Sequence, residues 1–354
     1  MQGKIEGVKT HYIKIPLTEK FVISQNSRAF LESTIIEIHA EGMTGFGEAV
    51  PSKYVMNETI EGTLQFAKTL EDLIKGKSIF KRNEITKILK GAHAPHCIMN
   101  AVNSALIDLT GKLLNVPAYV LFGGENRPIK TSATLSIGTE EETLKSAEHL
   151  LKTGFKALKV KVGLNVEEDI KRIKALRHLS DDFDIYTDAN QGYDAEEAVR
   201  FANAVKDCGV LFVEQPVKAY DIASLKYVKH NSAVPVMADE AAKTPQDAEN
   251  IIMADAADYI NIKLTKAGGI DEAIKIAHIT ESAYKKAMVG CMLGTPLLIA
   301  ASFTVFNSTE STVFADLDGF LTLSENPIVG GTYLKDGFLH IYPGNGLAVE
   351  KLNL

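Results

Sequence analysis

The chain has 354 residues, 45% apolar and 23% charged, enough apolar material for a sizeable core; disorder is excluded and about two domains are expected. Lys plus Arg number 38 against 45 for Asp plus Glu, a net charge of −7, and the lack of any basic stripe argues against nucleic-acid and anionic-membrane partners. Cys97, Cys208 and Cys291 are odd in number and far apart, which suits free thiols, and no stretch approaches the ~18 apolar residues of a membrane span, so a soluble cytoplasmic protein is expected.

In chain order, residues 1–122 read as an α+β unit. TIIEIHA (34–40) alternates like a strand, GFGEAV follows, and helical periodicity runs over 59–114. Within it, 61–75 and 104–114 carry apolar residues at helical spacing, with Gly91 and Pro95 interrupting between them. After the loop FGGENRPIK (122–130) the rhythm changes to short apolar strands separated by amphipathic helices. Strands are expected at 130–137, 156–162, 184–190, 210–216, 234–240, 259–264, 287–292 and 312–318. Helices are expected at 140–152, 166–179, 195–208 and 244–253. From Lys161 to Asp188, Glu214, Asp239 and Lys266 the steps are 27, 26, 25 and 27, the length a parallel βα repeat needs. Eight such strands predict an α/β fold with a TIM-type (β/α)8 barrel over 123–330 and the α+β unit as a second domain. A doubly wound sheet is the alternative, but no Gly-rich dinucleotide fingerprint follows the first strand.

Charged residues at the C-terminal ends of barrel strands are the exceptions that carry information. Lys159 and Lys161, two apart, point to one face of their strand. Asp188, Glu214 and Asp239 close three successive strands, and Asp316 and Asp318 share a face of the eighth. Singly, each acid reads as a turn or cap residue. Together, three converging carboxylates would raise one another's pKa unless a cation sat among them, and an all-oxygen set favours Mg2+, with Mn2+ as the alternative. A cationic Lys159 would depress the pKa of a neighbouring Lys161. Lys266, four strands on, would approach from the opposite side; Lys263 is the alternative owner of that role, with the Gly268-Gly269 turn placing Lys266 nearer the mouth. His93 and His96 lack a third ligand and read as structural. The same Gly-Gly pair fits a tight turn as well as an anion nest, and Cys291 has no partnered histidine.

These residues resemble the enolase superfamily, in its muconate-lactonizing subgroup, and within that the dipeptide epimerases. The motifs are KxK at Lys159 and Lys161, DxN at Asp188 and Asn190, Glu214 in EQP, Asp239 in ADE, Lys266 in KAGG, and DxD at Asp316 and Asp318. The resemblance implies a modified (β/α)7β barrel, a capping domain, and a tail over 331–354 that returns to the cap. It also implies Asp188, Glu214 and Asp239 as Mg2+ ligands, Lys161 and Lys266 as an acid/base pair with Lys159 as helper, and a homo-oligomer. Asp316 and Asp318 would meet the substrate ammonium, with Thr134, Cys291 and Met292 near the substrate. Two departures stand out: Gly294-Thr295 where many relatives have Glu-Ser, and, in the cap loop FVISQNSRAF, Asn26 where glutamyl-specific relatives carry arginine, with Arg28 as its possible substitute. The expected activity is epimerisation of L-Ala-L-X dipeptides, L-Ala-L-Glu first, by 1,1-proton transfer through an enediolate. The alternatives are a hydrophobic second residue, an N-acylamino acid racemase, an o-succinylbenzoate synthase, or a non-catalytic metal-binding barrel.

Overall fold

The structure is a computed structural model that describes residues 3–23 and 26–354; the side chains of 19–27 lie outside that description. The cap holds an antiparallel sheet of β1 (Gly7–Ile23), β2 (Asn26–Ala40) and β3 (Met43–Ala49), in that order. Period-two alternation on β2 sends Ile36 and Ile38 into the cap's own core and Leu31 and Ile35 into the core shared with the barrel. On β3, Gly45 and Gly47 let the helix His96–Leu114 lie directly on the sheet, since a Cβ at Gly47 would stand 1.9 Å from the Ala101 carbonyl. Gly91 ends the preceding helix and Pro95 caps the next, as their punctuation implied. The stretch FVISQNSRAF differs from the loop expected of it. Residues 21–23 and 26–30 are strand, because Phe21, Val22 and Ile23 favour extended backbone and pair with Arg28, Ser27 and Asn26.

Past β4 (Ile129–Lys130), the barrel strands are β5 (Ala133–Leu135), β6 (Ala157–Lys161), β7 (Asp184–Asp188), β8 (Val210–Glu214), β9 (Val236–Ala238), β10 (Tyr259–Lys263), β11 (Lys286–Gly290) and β12 (Thr312–Asp316). Each pairs in parallel with the next, and β5 meets β12 where Ser132 N donates to the Ala315 carbonyl at 3.0 Å. All eight expected strands are present. The helices Glu140–Lys152 and Val166–Leu179 have the expected bounds, set by a capping box at Thr139 and by Asn165 as N-cap. The helix from Ala195 stops at Ala204, short of Cys208, and a 3-10 turn over Lys206–Cys208 completes the segment.

Inside the barrel an aromatic floor fills the end away from the charged strand termini. Tyr186 stacks on Phe212 at 4.7 Å, and Phe314 stands 5.3 Å from both Phe212 and Tyr259. The chain then forms two short antiparallel pairs, β13 (Ile328–Gly330) with β16 (Val349–Leu352), and β14 (Thr332–Lys335) with β15 (Phe338–Ile341), the latter also joining β4. Between them the tail touches the cap: Leu347 N donates to Asp108 Oδ1 at 2.7 Å, and Ala118 N to the Gly346 carbonyl at 2.7 Å. Among the described residues no helix is long and apolar enough to cross a membrane, and Cys97, Cys208 and Cys291 are free thiols.

Glu48 of β3 ties cap to barrel. It is 1% exposed, accepts from Ser33 Oγ at 2.8 Å, and accepts from both Thr295 N (3.0 Å) and Thr295 Oγ1 (2.6 Å) at the start of the helix Pro296–Asn307. Burial pushes its carboxyl pKa up, and these donors offset part of the cost. Thr295 is thereby an anchor of the cap on the barrel. Replacing Glu48 by Ala strands those donors and should cost about 2–3 kcal/mol, read as an earlier denaturant midpoint. An unchanged midpoint would refute the tie.

Candidate active site

Strand register assembles the site. Lys161, Asp188 and Glu214 are Cα partners on β6, β7 and β8, so their side chains leave the sheet in one layer at the rim. Lys159 lies one layer deeper, beside Thr134 on β5. Asp239 follows β9, Lys263 ends β10 and Asp316 ends β12.

The polar side chains are buried and mutually paired. Lys159 Nζ, 1% exposed, sits 2.6 Å from Asp316 Oδ2, 2.8 Å from Glu214 Oε2 and 3.0 Å from Asp188 Oδ2. Lys161 Nζ donates to Asp188 Oδ2 at 2.6 Å and to Asn190 Oδ1 at 3.0 Å. Lys263 Nζ donates to Asp239 Oδ2 at 2.6 Å and lies 3.9 Å from Glu214 Oε1. Asp316 Oδ1 accepts from Ser132 Oγ at 3.0 Å, and Asp318 Oδ2 accepts from Thr134 N at 2.7 Å.

Lys266 is the main correction. Its ammonium donates to Asp239 Oδ1, to the Asp239 carbonyl at 2.6 Å and to the Asn261 carbonyl at 3.1 Å, and the residue is fully buried. The chain after β10 forms a one-turn helix, Leu264–Ala267, that turns Lys266 back behind Asp239. Lys263 lines the cavity in its place. Four strand positions separate β6 from β10 in the eight-stranded order, so Lys161 and Lys263 face each other across the mouth.

Burial pushes the Asp188 and Asp239 carboxyls up, but the neighbouring lysines, Lys159 with Lys161 and Lys263 with Lys266, outweigh it and hold both below the usual range. For other acids the lysines offset burial only in part. Burial, then the charge of Asp188, raises Glu214 to about 8; burial, then Asp239, raises Glu240 to about 7; burial, then Asp316, raises Asp318 to about 6. Burial lowers Lys159, but Asp188, Asp316 and Glu214 hold it well above the ordinary lysine value, which fits a permanently charged helper.

Six carboxylates (Asp188, Glu214, Asp239, Glu240, Asp316 and Asp318) face four lysines, a deficit of two positive charges when all are ionised. Among the described residues no three metal-binding groups are already gathered at ligand separation, the carboxylates being drawn onto the ammoniums. The donor set itself, Asp188, Glu214 and Asp239 at successive strand ends, all oxygen and short of positive charge, fits a hard divalent cation.

Cap and barrel share the cavity: Arg28 and Tyr54 face Thr134, Cys291, Met292 and Asp318 across it. The Asn26 side chain lies outside the described residues. Sequence patterning passed over Glu240 and Asn261, whose Nδ2 donates to Glu214 Oε1 at 2.7 Å. Each adjoins a marked position, Glu240 next to Asp239 and Asn261 two before Lys263 on the inward face of β10; that adjacency was the available signal.

A buried charge cluster at the C-terminal mouth of a parallel barrel under a cap defines an enzyme of the barrel class. Residues 8–123 match the mandelate racemase/muconate lactonizing enzyme N-terminal domain, and 142–351 match the enolase C-terminal domain-like family. The chain belongs to this family. It is similar to a hydrophobic dipeptide epimerase of Enterococcus faecalis, 36% identical over 94% of this chain and 95% of that protein. A crystal structure of a dipeptide epimerase from the same organism, complexed with Mg and L-Leu-L-Tyr, superposes with a TM-score of 0.95 at 35% identity, covering 98% of this chain and 100% of that one. A substrate-liganded L-Ala-D/L-Glu epimerase of Bacillus subtilis gives a TM-score of 0.96 at 32% identity over 99% and 100%.

Proposed function

We propose that the protein is a Mg2+-dependent dipeptide epimerase in which Lys161 and Lys263 are the acid/base pair. The carrying observation is two lysines on opposite walls of one cavity, beside the Asp316–Asp318 pair. Asp188, Glu214 and Asp239 would hold the ion, which when bound supplies Lewis-acid stabilisation of charge developing on the substrate carboxylate. One lysine takes the α proton from one face and the other delivers a proton to the opposite face. Burial lowers Lys263 but Asp239 more than offsets this and holds it above the ordinary lysine value; an ion held by Asp239 and Glu214 would compete for those partners. Lys266 is lowered by burial, yet it has no reach into the cavity, and reach decides before pKa.

Asp316 and Asp318 favour a substrate with a free α-ammonium over an N-acylated one, because Asp316 already pairs with Lys159 and an N-acylated substrate would offer Asp318 no cation. On the cap side, Arg28 forms no ion pair with the described residues, and burial lowers its pKa. An unpaired guanidinium repels a cationic side chain and accepts an anionic or neutral one, so the C-terminal residue is acidic or apolar, with L-Ala-L-Glu first.

A dipeptide library incubated in D2O should show a one-mass-unit gain at the α position of the second residue, greatest for acidic or apolar side chains and least for Lys or Arg. For the preferred dipeptide kcat/KM should fall as pH drops through about 6, as Asp318 protonates and loses its hold on the ammonium, and Asp318→Asn should remove that component and leave the acid limb of the lysine base. Turnover without deuterium uptake would overturn the mechanism; preference for N-acyl substrates would overturn the dipeptide assignment.

A further inference from the structure

Glu240 is a buried carboxylate that the proton transfer does not use. It follows Asp239 in the turn after β9, is 4% exposed and lines the cavity. Oε1 accepts from Asn190 Nδ2 at 3.3 Å, while Oε2 is buried with no hydrogen-bond partner among the described residues. Burying a carboxylate this incompletely satisfied is costly, so its retention calls for a role. Holding the turn is not that role, because Gln215 Oε1 already accepts from Asp239 N at 2.9 Å and from Ala241 N at 3.0 Å.

We propose that Glu240 is a positioning residue for the acid/base step: it holds the Asn190 amide with its oxygen on Lys161, and so orients the Lys161 amine in the cavity wall. This rests on the two-lysine reading above. Glu240 Oε1 accepts from the NH2 end of the Asn190 amide, which leaves the amide oxygen to accept from Lys161 Nζ at 3.0 Å. The Asn190 backbone, in the left-handed region at φ 43°, is pinned separately by its N–H on Asp188 Oδ1 at 2.9 Å, so the amide's remaining freedom is rotation. Among its partners the Lys161 amine donates to Asp188 Oδ2 and to Asn190 Oδ1. Asp188 would be shared with an ion, whereas Asn190 would not, and Glu240 keeps the oxygen of that amide on Lys161.

The test reads α-proton exchange in D2O by NMR, separately for the L,L and L,D epimers of one dipeptide, in the Mg2+-loaded enzyme. Lys161→Ala identifies which hand of substrate Lys161 serves. Glu240→Leu should slow exchange of that hand roughly 10- to 100-fold while the other hand stays within about threefold, with Mg2+ affinity and thermal midpoint unchanged. Glu240→Gln, isosteric and the safer variant to fold, should show a smaller loss of the same hand. Asn190→Ala should reproduce the pattern, and adding Glu240→Leu to it should cost nothing further, since both act through one amide. Equal loss of both hands, weakened Mg2+ binding, full additivity or no effect would each overturn the proposal. A wild-type enzyme that exchanges neither hand would instead remove the two-lysine reading.

Discussion

Lys263→Ala should abolish epimerisation, lowering it roughly 10²–10⁴-fold or more, yet leave α-proton exchange intact for one hand of the dipeptide. Lys161→Ala should show the complementary pattern, because each lysine alone can still remove and return a proton on its own face. The expectation follows from their placement on β6 and β10, at opposite points of the eight-stranded order. Lys266→Ala should behave differently. Its ammonium contacts Asp239 from behind and has no access to the cavity, so its loss should weaken both exchanges in parallel. Selective loss of one hand in Lys266→Ala, with both hands retained in Lys263→Ala, would return the catalytic role to Lys266.

Stripping divalent ions with EDTA should lower epimerisation by more than about 10³-fold, and Mg2+ should restore it. The site's own electrostatics lead here. Glu214 is buried beside Asp188, and burial and that neighbouring charge both push its carboxyl up, so it is a carboxylate whose ionised form a nearby cation would favour. A divalent ion supplies the two charges that four lysines leave missing among six acids. Binding at this cluster should also raise the thermal midpoint, by about 2.7 kcal/mol of stabilisation at 100 times Kd. Glu214→Gln should lose most of that Mg2+-dependent shift. Full turnover in EDTA, or a midpoint indifferent to Mg2+, would show that the carboxylates serve only to pair the lysines.

Much of this was legible in the sequence. Apolar runs located all eight barrel strands, the 25- to 27-residue beat tied five of them into a parallel repeat, and charged residues at strand ends marked Lys161, Asp188, Glu214, Asp239 and Asp316. Legibility failed where the strand period stops. Beyond Lys263 the chain makes one helical turn, so the three residues to Lys266 reverse its direction, and a Gly-Gly pair that seemed to bring Lys266 to the mouth instead ends that turn. Glu240 was hidden for a similar reason. Alternation would send it away from Asp239, but β9 ends at Ala238, and in the following turn both side chains reach the cavity. In the cap, Phe21–Val22–Ile23 could be read as loop because its partners, Asn26, Ser27 and Arg28, are polar residues a few positions on that carry no apolar alternation.

The packed rings of Tyr186, Phe212, Tyr259 and Phe314 stopper the barrel from below. A vessel with one opening makes reactant and product share a doorway, so each waits for the other to clear. Any compound wedged against Arg28 and Tyr54 at that threshold would obstruct arrival and departure alike, and should therefore inhibit both directions of the reaction.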